Sequence, residues 1–245
     1  MCPRSAVLLS AAVLASAAAH AQTVTASAAL TGFRYELIDL DPSDGVTPEV
    51  SFTHFYQTQL IQRAPGSEIT RDQAGAGALS LANAFGSLDA SAAGVDASAA
   101  GSANLSAPTP ATFLANGIHK ASFSLTRATA ILFSADAVLT AGGNVGNHEV
   151  SAIATMFADL QPYQSIGYWT FNRQEILRGS GSRSLTLSGE LRSGADAVTG
   201  YFFSSAYVDY ASAAPVPEPA SGALLIAGLA LLGWRMRGSR NLKPH

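Results

Sequence analysis

Phe33-Arg34-Tyr35-Glu36-Leu37-Ile38-Asp39-Leu40 and, after a turn-rich stretch, Glu49-Val50-Ser51-Phe52-Thr53-His54-Phe55 set the fold class of this 245-residue chain. Large apolar and polar side chains alternate in both, which is the period of a half-buried strand. Between them, Asp41-Pro42-Ser43-Asp44-Gly45 has the proline and glycine placement of a tight turn. The same alternation returns at residues 120–125, 129–133, 150–157, 168–171, 184–191 and 201–210. Turn signals punctuate it at Gly142-Gly143-Asn144, Gly179-Ser180-Gly181 and Ser193-Gly194-Ala195-Asp196. Seven or more short strands at this spacing predict a mainly β domain, an antiparallel sandwich with the jelly roll as its specific form.

One segment is less regular. Residues 74–107 are rich in Ala, Gly and Ser, with Leu79, Leu81, Phe85, Leu88 and Val95 as the main apolar anchors. The Leu79/Leu81 alternation favours a pair of strands carrying small outward side chains; a flexible repetitive loop is the other reading.

Composition narrows the function classes. Charged residues make up only 13% of the chain and the formal net charge is −3. Residues 22–214 hold sixteen carboxylates against nine Lys and Arg, whereas the last 31 residues hold Glu218 against Arg235, Arg237, Arg240 and Lys243. An acidic body argues against nucleic acid as a partner, because that needs a basic patch on the folded domain. A basic tip is expected on the cytoplasmic side of a membrane.

The first 21 residues have the three parts of a signal peptide. Arg4 provides the positive start, residues 6–19 are apolar, and Ala19-His20-Ala21 is a small-x-small cleavage site ahead of Gln22. About fourteen apolar residues are too few for a comfortable span of about 20. The single cysteine, Cys2, leaves with this segment, so residues 22–211 are expected to fold after export without disulfides.

The other end is more specific. Pro215-Val216-Pro217-Glu218-Pro219 places three prolines at alternate positions, which removes three backbone donors and holds the chain extended. An extended backbone suits the groove of a processing enzyme. Residues 220–234 then run without a charge, with Leu224, Leu225, Ile226, Leu229, Leu231 and Leu232 as the apolar mass and Trp234 at the interface. Fifteen helical residues reach roughly 22 Å, short of the ~30 Å hydrocarbon core, and Arg235, Arg237 and Arg240 can extend it by snorkelling. The expected organisation is therefore a signal peptide at 1–21, a β-rich exported domain at 22–211 and a tail at 212–245. Within the tail lie a motif at 216–219, a single transmembrane helix at 220–234 and a basic end at 235–245.

This order of Pro-Glu-Pro, short apolar helix and arginines resembles the PEP-CTERM sorting domain of Gram-negative bacteria. Pro217, Glu218 and Pro219 match its motif, and Trp234, Arg235 and Arg237 match its usual end. The resemblance implies recognition by an exosortase, a membrane-embedded cysteine transpeptidase-like enzyme. It also implies transient anchoring in the inner membrane, a cut near the motif and release to the cell surface, often in species that make exopolysaccharide. Residues 35–52 also look like a segment found near the start of other proteins with this tail.

No catalytic motif accompanies the tail: the chain has no Gly-x-Ser-x-Gly elbow, P-loop or dinucleotide glycine pattern. Asp39, Asp41 and Asp44 alternate as calcium ligands do, yet Asp44 stands where an EF-hand loop needs glycine and Glu49 comes too early to close it. A structural turn is the favoured reading and calcium the lesser one, so no cofactor is expected. His54, His119 and His148 form no local ligand pair, and His148-Glu149 lacks the second histidine of a zinc-protease helix. Tyr163, Tyr168, Trp169, Phe171, Tyr201, Phe202, Phe203, Tyr207 and Tyr210 are expected mainly in the core, with a sugar-stacking platform as the alternative. The expectation is a non-enzymatic structural or adhesive surface protein with an exosortase, the inner membrane and exopolysaccharide as partners; a secreted carbohydrate-binding or carbohydrate-active protein is the rival.

Overall fold

The computed structural model describes residues 23–64, 66–94, 96–105, 112–143, 149–161 and 170–211. Twelve strands account for most of them: β1 (Thr23–Asp39), β2 (Val50–Ala64), β3 (Ser67–Ala74), β4 (Gly77–Asn83), β5 (Gly86–Ala93) and β6 (Asp96–Asn104), then β7 (Thr112–Leu125), β8 (Thr129–Gly142), β9 (Glu149–Gln161), β10 (Thr170–Arg178), β11 (Gly181–Arg192) and β12 (Val198–Ala211). The expected signal peptide and C-terminal helix lie outside the described residues. Among the described residues, no helix is long and apolar enough to cross a membrane.

The strands form two antiparallel six-stranded sheets, ordered β11-β8-β1-β6-β5-β4 and β10-β9-β12-β7-β2-β3. One buried cluster joins them, so they pack face to face. The period-2 pattern explains why. In β9, Val150, Ala152, Ala154, Met156, Ala158 and Leu160 all point inward, and in β12 the inward set includes Val198, Phe202, Ala206, Val208 and Tyr210. Full burial of each large side chain contributes about 1.5–3 kcal/mol.

The two segments that set the fold class do become strands, but they lie in opposite sheets: β1 pairs with β6 and β8, and β2 with β3 and β7. The turn between them is an arch over the end of the sandwich. Residues 120–125 and 129–133 behave likewise, in β7 and β8 of different sheets. Because β1 pairs with β8 while β2 pairs with β7, the two arches cross side by side. The expected antiparallel, mainly β architecture is thus present as two six-stranded sheets.

The Ala/Gly/Ser segment departs from expectation. It supplies three strands, β4, β5 and β6, and alternate alanines of β5 and β6 face inward: Ala90, Ala92, Ala97, Ala99 and Ala103 are buried. Serines take the outer face, where Ser87 bonds Ser102 at 2.9 Å and Ser91 bonds Ser98 at 2.8 Å across the strands. Of the expected anchors, Leu81 and Leu88 are buried and Leu79 packs against the core, whereas Val95 lies outside the described residues.

A bulge in β1 shapes one end of the molecule. The register with β8 shifts between Thr31 and Arg34, and Gly32 takes φ +61°, the left-handed geometry that bulges use glycine for. Inward positions are even up to Leu30; after the bulge Tyr35 stands opposite the buried Phe133 and Leu37 opposite the buried Ile131. Beyond Leu30, β1 no longer pairs with β6, and before Gln57, β2 has no pairing with β3. Among the described residues, three strands of one sheet thus stop short over the start of β2, leaving the sandwich open there.

Candidate functional site

The open end gathers the most distinctive side chains of the domain. Phe52, His54 and Tyr56 alternate along β2 on its inward face, yet His54 is exposed, with none of the described strands covering it. On the neighbouring strand His119 is 0% exposed. His54 Nδ1 and His119 Nε2 stand 2.9 Å apart, within hydrogen-bonding distance. Cross-strand register places His119 directly between Tyr56 of β2 and Ser204 of β12. The Ser204 hydroxyl is 3.5 Å from His119 Nδ1, the Tyr56 ring lies 5.2 Å from the imidazole, and Phe33 meets it edge-on at 6.2 Å. Phe202 completes the surround at 5.8 Å. Tyr56 is fixed in turn by its hydroxyl, which donates to the Gly94 carbonyl at 2.7 Å.

Burial, reinforced by the His54 charge, pushes the His119 imidazole down to about 4. It is therefore neutral at physiological pH and has one ring nitrogen free to accept. The expectation of scattered histidines holds for neither His54 nor His119. Sequence spacing gives no sign of the pair, since 65 residues separate its members. His148 lies outside the described residues.

The acidic turn uses its carboxylates on itself. Asp39 accepts from the Asp41 N–H at 3.0 Å, Asp41 from the Ser43 N–H at 3.1 Å and the Ser43 hydroxyl at 2.6 Å, and Asp44 from the Val46 N–H at 2.7 Å. The Ser43 hydrogen bonds hold the Asp41 carboxyl below the usual range. Arg127 sits 3.2 Å from Asp44, a cation already in place. Among the described residues, no group of three or more His, Cys, Asp or Glu is arranged to hold a metal ion.

The aromatic residues divide between the core and the outer face of one sheet. Phe171, Phe202 and Tyr210 are core; Tyr201, Phe203 and Tyr207 stand half-buried on the outer face of the β12 sheet. There, Phe203 lies opposite Phe157 on one side and Lys120 on the other, and Lys120 lies opposite Phe55, which is 52% exposed. Tyr163, Tyr168 and Trp169 lie outside the described residues. Three shallow grooves carry one carboxylate each: Glu49 at the β2–β7 end, Asp209 beside Tyr207, and Glu190 beside Arg173 and Arg192. Asp209 accepts hydrogen bonds from Ser151 and Tyr207, and Glu190 pairs with Arg192.

The remaining expected site residues fall outside the described residues: Ala19, Ala21 and Gln22 at the cleavage point, the 216–219 motif, the apolar run to Trp234, and Arg235, Arg237 and Arg240. Sequence comparison reaches the tail. Residues 215–240 match the family model of the PEP-CTERM protein-sorting motif. The chain carries a PEP-CTERM sorting motif. It begins four positions after Ala211, where β12 ends. The PEP-CTERM motif supports exosortase-dependent sorting of an exported protein, held at the membrane and then passed to the surface. No curated protein and no solved structure matches the chain.

Proposed function

We propose that the chain is a non-enzymatic structural or adhesive surface protein, whose β-sandwich is cargo and whose tail is the substrate of an exosortase. The observation that carries this reading is the sorting motif at residues 215–240, beginning four positions after the last described strand ends. In the proposed sequence of events, a signal peptide at 1–21 directs export, and the helix at 220–234 holds the chain in the inner membrane. The exosortase then cuts near Pro217-Glu218-Pro219. Catalysis belongs to the partner, whereas this chain supplies an extended recognition segment. Replacing Pro217 and Glu218 with alanine restores one backbone donor, at 217, and frees the fixed φ there, while removing the motif's carboxylate. The expected result is precursor stranded in the inner-membrane fraction, read by cell fractionation and blotting; unchanged delivery to the surface would contradict the proposal.

The rival reading as a carbohydrate-binding protein draws support from the half-buried outer row of Phe157, Phe203 and Phe55, with Tyr201 and Tyr207 beside it. Aromatic faces next to hydrogen-bonding groups suit sugar rings, although a sheet face of this kind also suits another protein. Co-sedimentation of the exported protein with exopolysaccharide separates the two. Retention that is lost in Phe55→Ala/Phe203→Ala would favour the sugar reading.

A further inference from the structure

We propose that His54 and His119 form an acid-sensitive latch, which clamps the first half of β2 onto β7 and lets go when both imidazoles carry a proton. Three observations on geometry support it. The facing nitrogens are 2.9 Å apart, so a single hydrogen fits between them and two do not. The ring centroids are 5.1 Å apart with planes 27° from parallel, so the two rings meet nearly head-on, edge to edge. Finally, among the described residues, β2 from Val50 to Phe55 pairs on one side only, with β7; on the other side the first backbone bond is the Tyr56 carbonyl accepting from the Gly75 N–H, and β3 pairing begins at Gln57.

The two rings are unequal in what protonation does to them. His54 is exposed and can take a proton on Nε2 while its Nδ1–H continues to donate to His119 Nε2. That singly charged pair keeps its hydrogen bond and makes it charge-assisted. Mild acid therefore leaves the latch closed. A second proton has to go to His119 Nε2, which removes the only acceptor between the rings and sets two like charges against each other in a partly desolvated place. Burial and the neighbouring His54 both oppose that step.

His119 cannot yield, since it is enclosed by Tyr56, Phe33, Phe202 and Ser204. His54 can, because solvent lies beside it and no strand pairs along the outer edge of its half of β2. Among the described residues, the charged groups packed around the pair are engaged elsewhere. From β2 the nearest titratable neighbour is the Tyr56 phenol, engaged with Gly94; from β1, Phe33 and Tyr35 point in while Arg34 turns to Asp136. Phe202 and Ser204 come from β12 and Phe133 from β8, Lys120 lies on the opposite face of β7, and the Asp96 carboxylate of the β5–β6 turn accepts from the Gly32 N–H. Opening would uncover Phe52 and Tyr56, turning the end of the sandwich into an apolar surface in strong acid.

Histidine-selective ¹⁵N NMR of the full chain in mild detergent tests this, together with hydrogen exchange by mass spectrometry corrected for the intrinsic pH dependence. Five histidines are present, and His54→Gln assigns one of the pair. Residues 50–56 are expected to stay protected until the His119 ring takes its proton, near pH 4. With that event, exchange at 50–56 should rise about tenfold while 198–210 in β12 stays protected. His54→Ala, which leaves the buried ring in place, should exchange fast at 50–56 already at neutral pH. Protonation of the His119 ring near its ordinary value of 6.5, with residues 50–56 still protected afterwards, would overturn the latch. So would loss of protection at 50–56 and 198–210 together.

Discussion

A methyl group on Gly117 would sit 2.2 Å from the Ser91 carbonyl oxygen and 2.7 Å from that of Ser98, both backbone atoms of the facing sheet. Backbone cannot rotate away as a side chain can, so Gly117→Ala is expected to destabilise by about 1–3 kcal/mol, read as a lower urea midpoint. The same position explains the inward alanines of β5 and β6: small side chains there let the sheets approach closely. Gly101 follows a related rule, with the Phe113 ring occupying the volume its own side chain would need. At His119 the relevant measurement is stability against pH. Its folded value of about 4 lies below the ordinary 6.5, so the unfolded chain binds the proton more readily. Stability is therefore full above about pH 6.5 and declines as pH falls toward 4, by up to about 3 kcal/mol, then levels off. His119→Asn should flatten that slope in a series of chemical denaturations. An unchanged slope would assign the decline to other groups.

Among the elements, Leu88 isolates what the low-complexity segment contributes. It is 0% exposed in a strand whose other inward residues are alanines, and the short side chains around it cannot move in to fill a hole. Leu88→Ala is expected to cost about 2–5 kcal/mol, while Leu40→Ala, at 42% exposure, should fall within about 0.5 kcal/mol. Thermal melts of the two variants provide the comparison. Strand identity was readable wherever large apolar residues alternate, as in residues 33–40, 184–191 and 201–210. It was faint in residues 23–32, where Ala26 and Ala28 alternate with Thr25 and Ser27 and the size contrast is small. Direction of facing was misread in β5 and β6 for that reason, since an alanine signals neither inside nor outside. Pairing was not readable at all. Nothing in residues 33–55 states that the intervening turn arches between sheets instead of closing a hairpin; that choice rests on β6, β7 and β8, far along the chain.

For the whole molecule, function and fold were legible to different degrees. Address is written locally: proline spacing, an uncharged run and terminal arginines lie within 26 consecutive residues and match one family model. The candidate site in the sandwich is written non-locally. His54 and His119 lie 65 positions apart, and Phe33, Phe202 and Ser204 reach them from other strands. The two parts meet in sequence just after β12, a central strand paired along its whole length with β7 and β9. A cut near residue 218 removes none of the twelve described strands, so the trimmed protein should keep its thermal transition. The most direct test of the account is the mass of the C-terminal peptide from the surface-delivered protein in an exosortase-bearing host. A mature end near Glu218–Pro219 is predicted, and an intact tail running through Arg237 to His245 would contradict it.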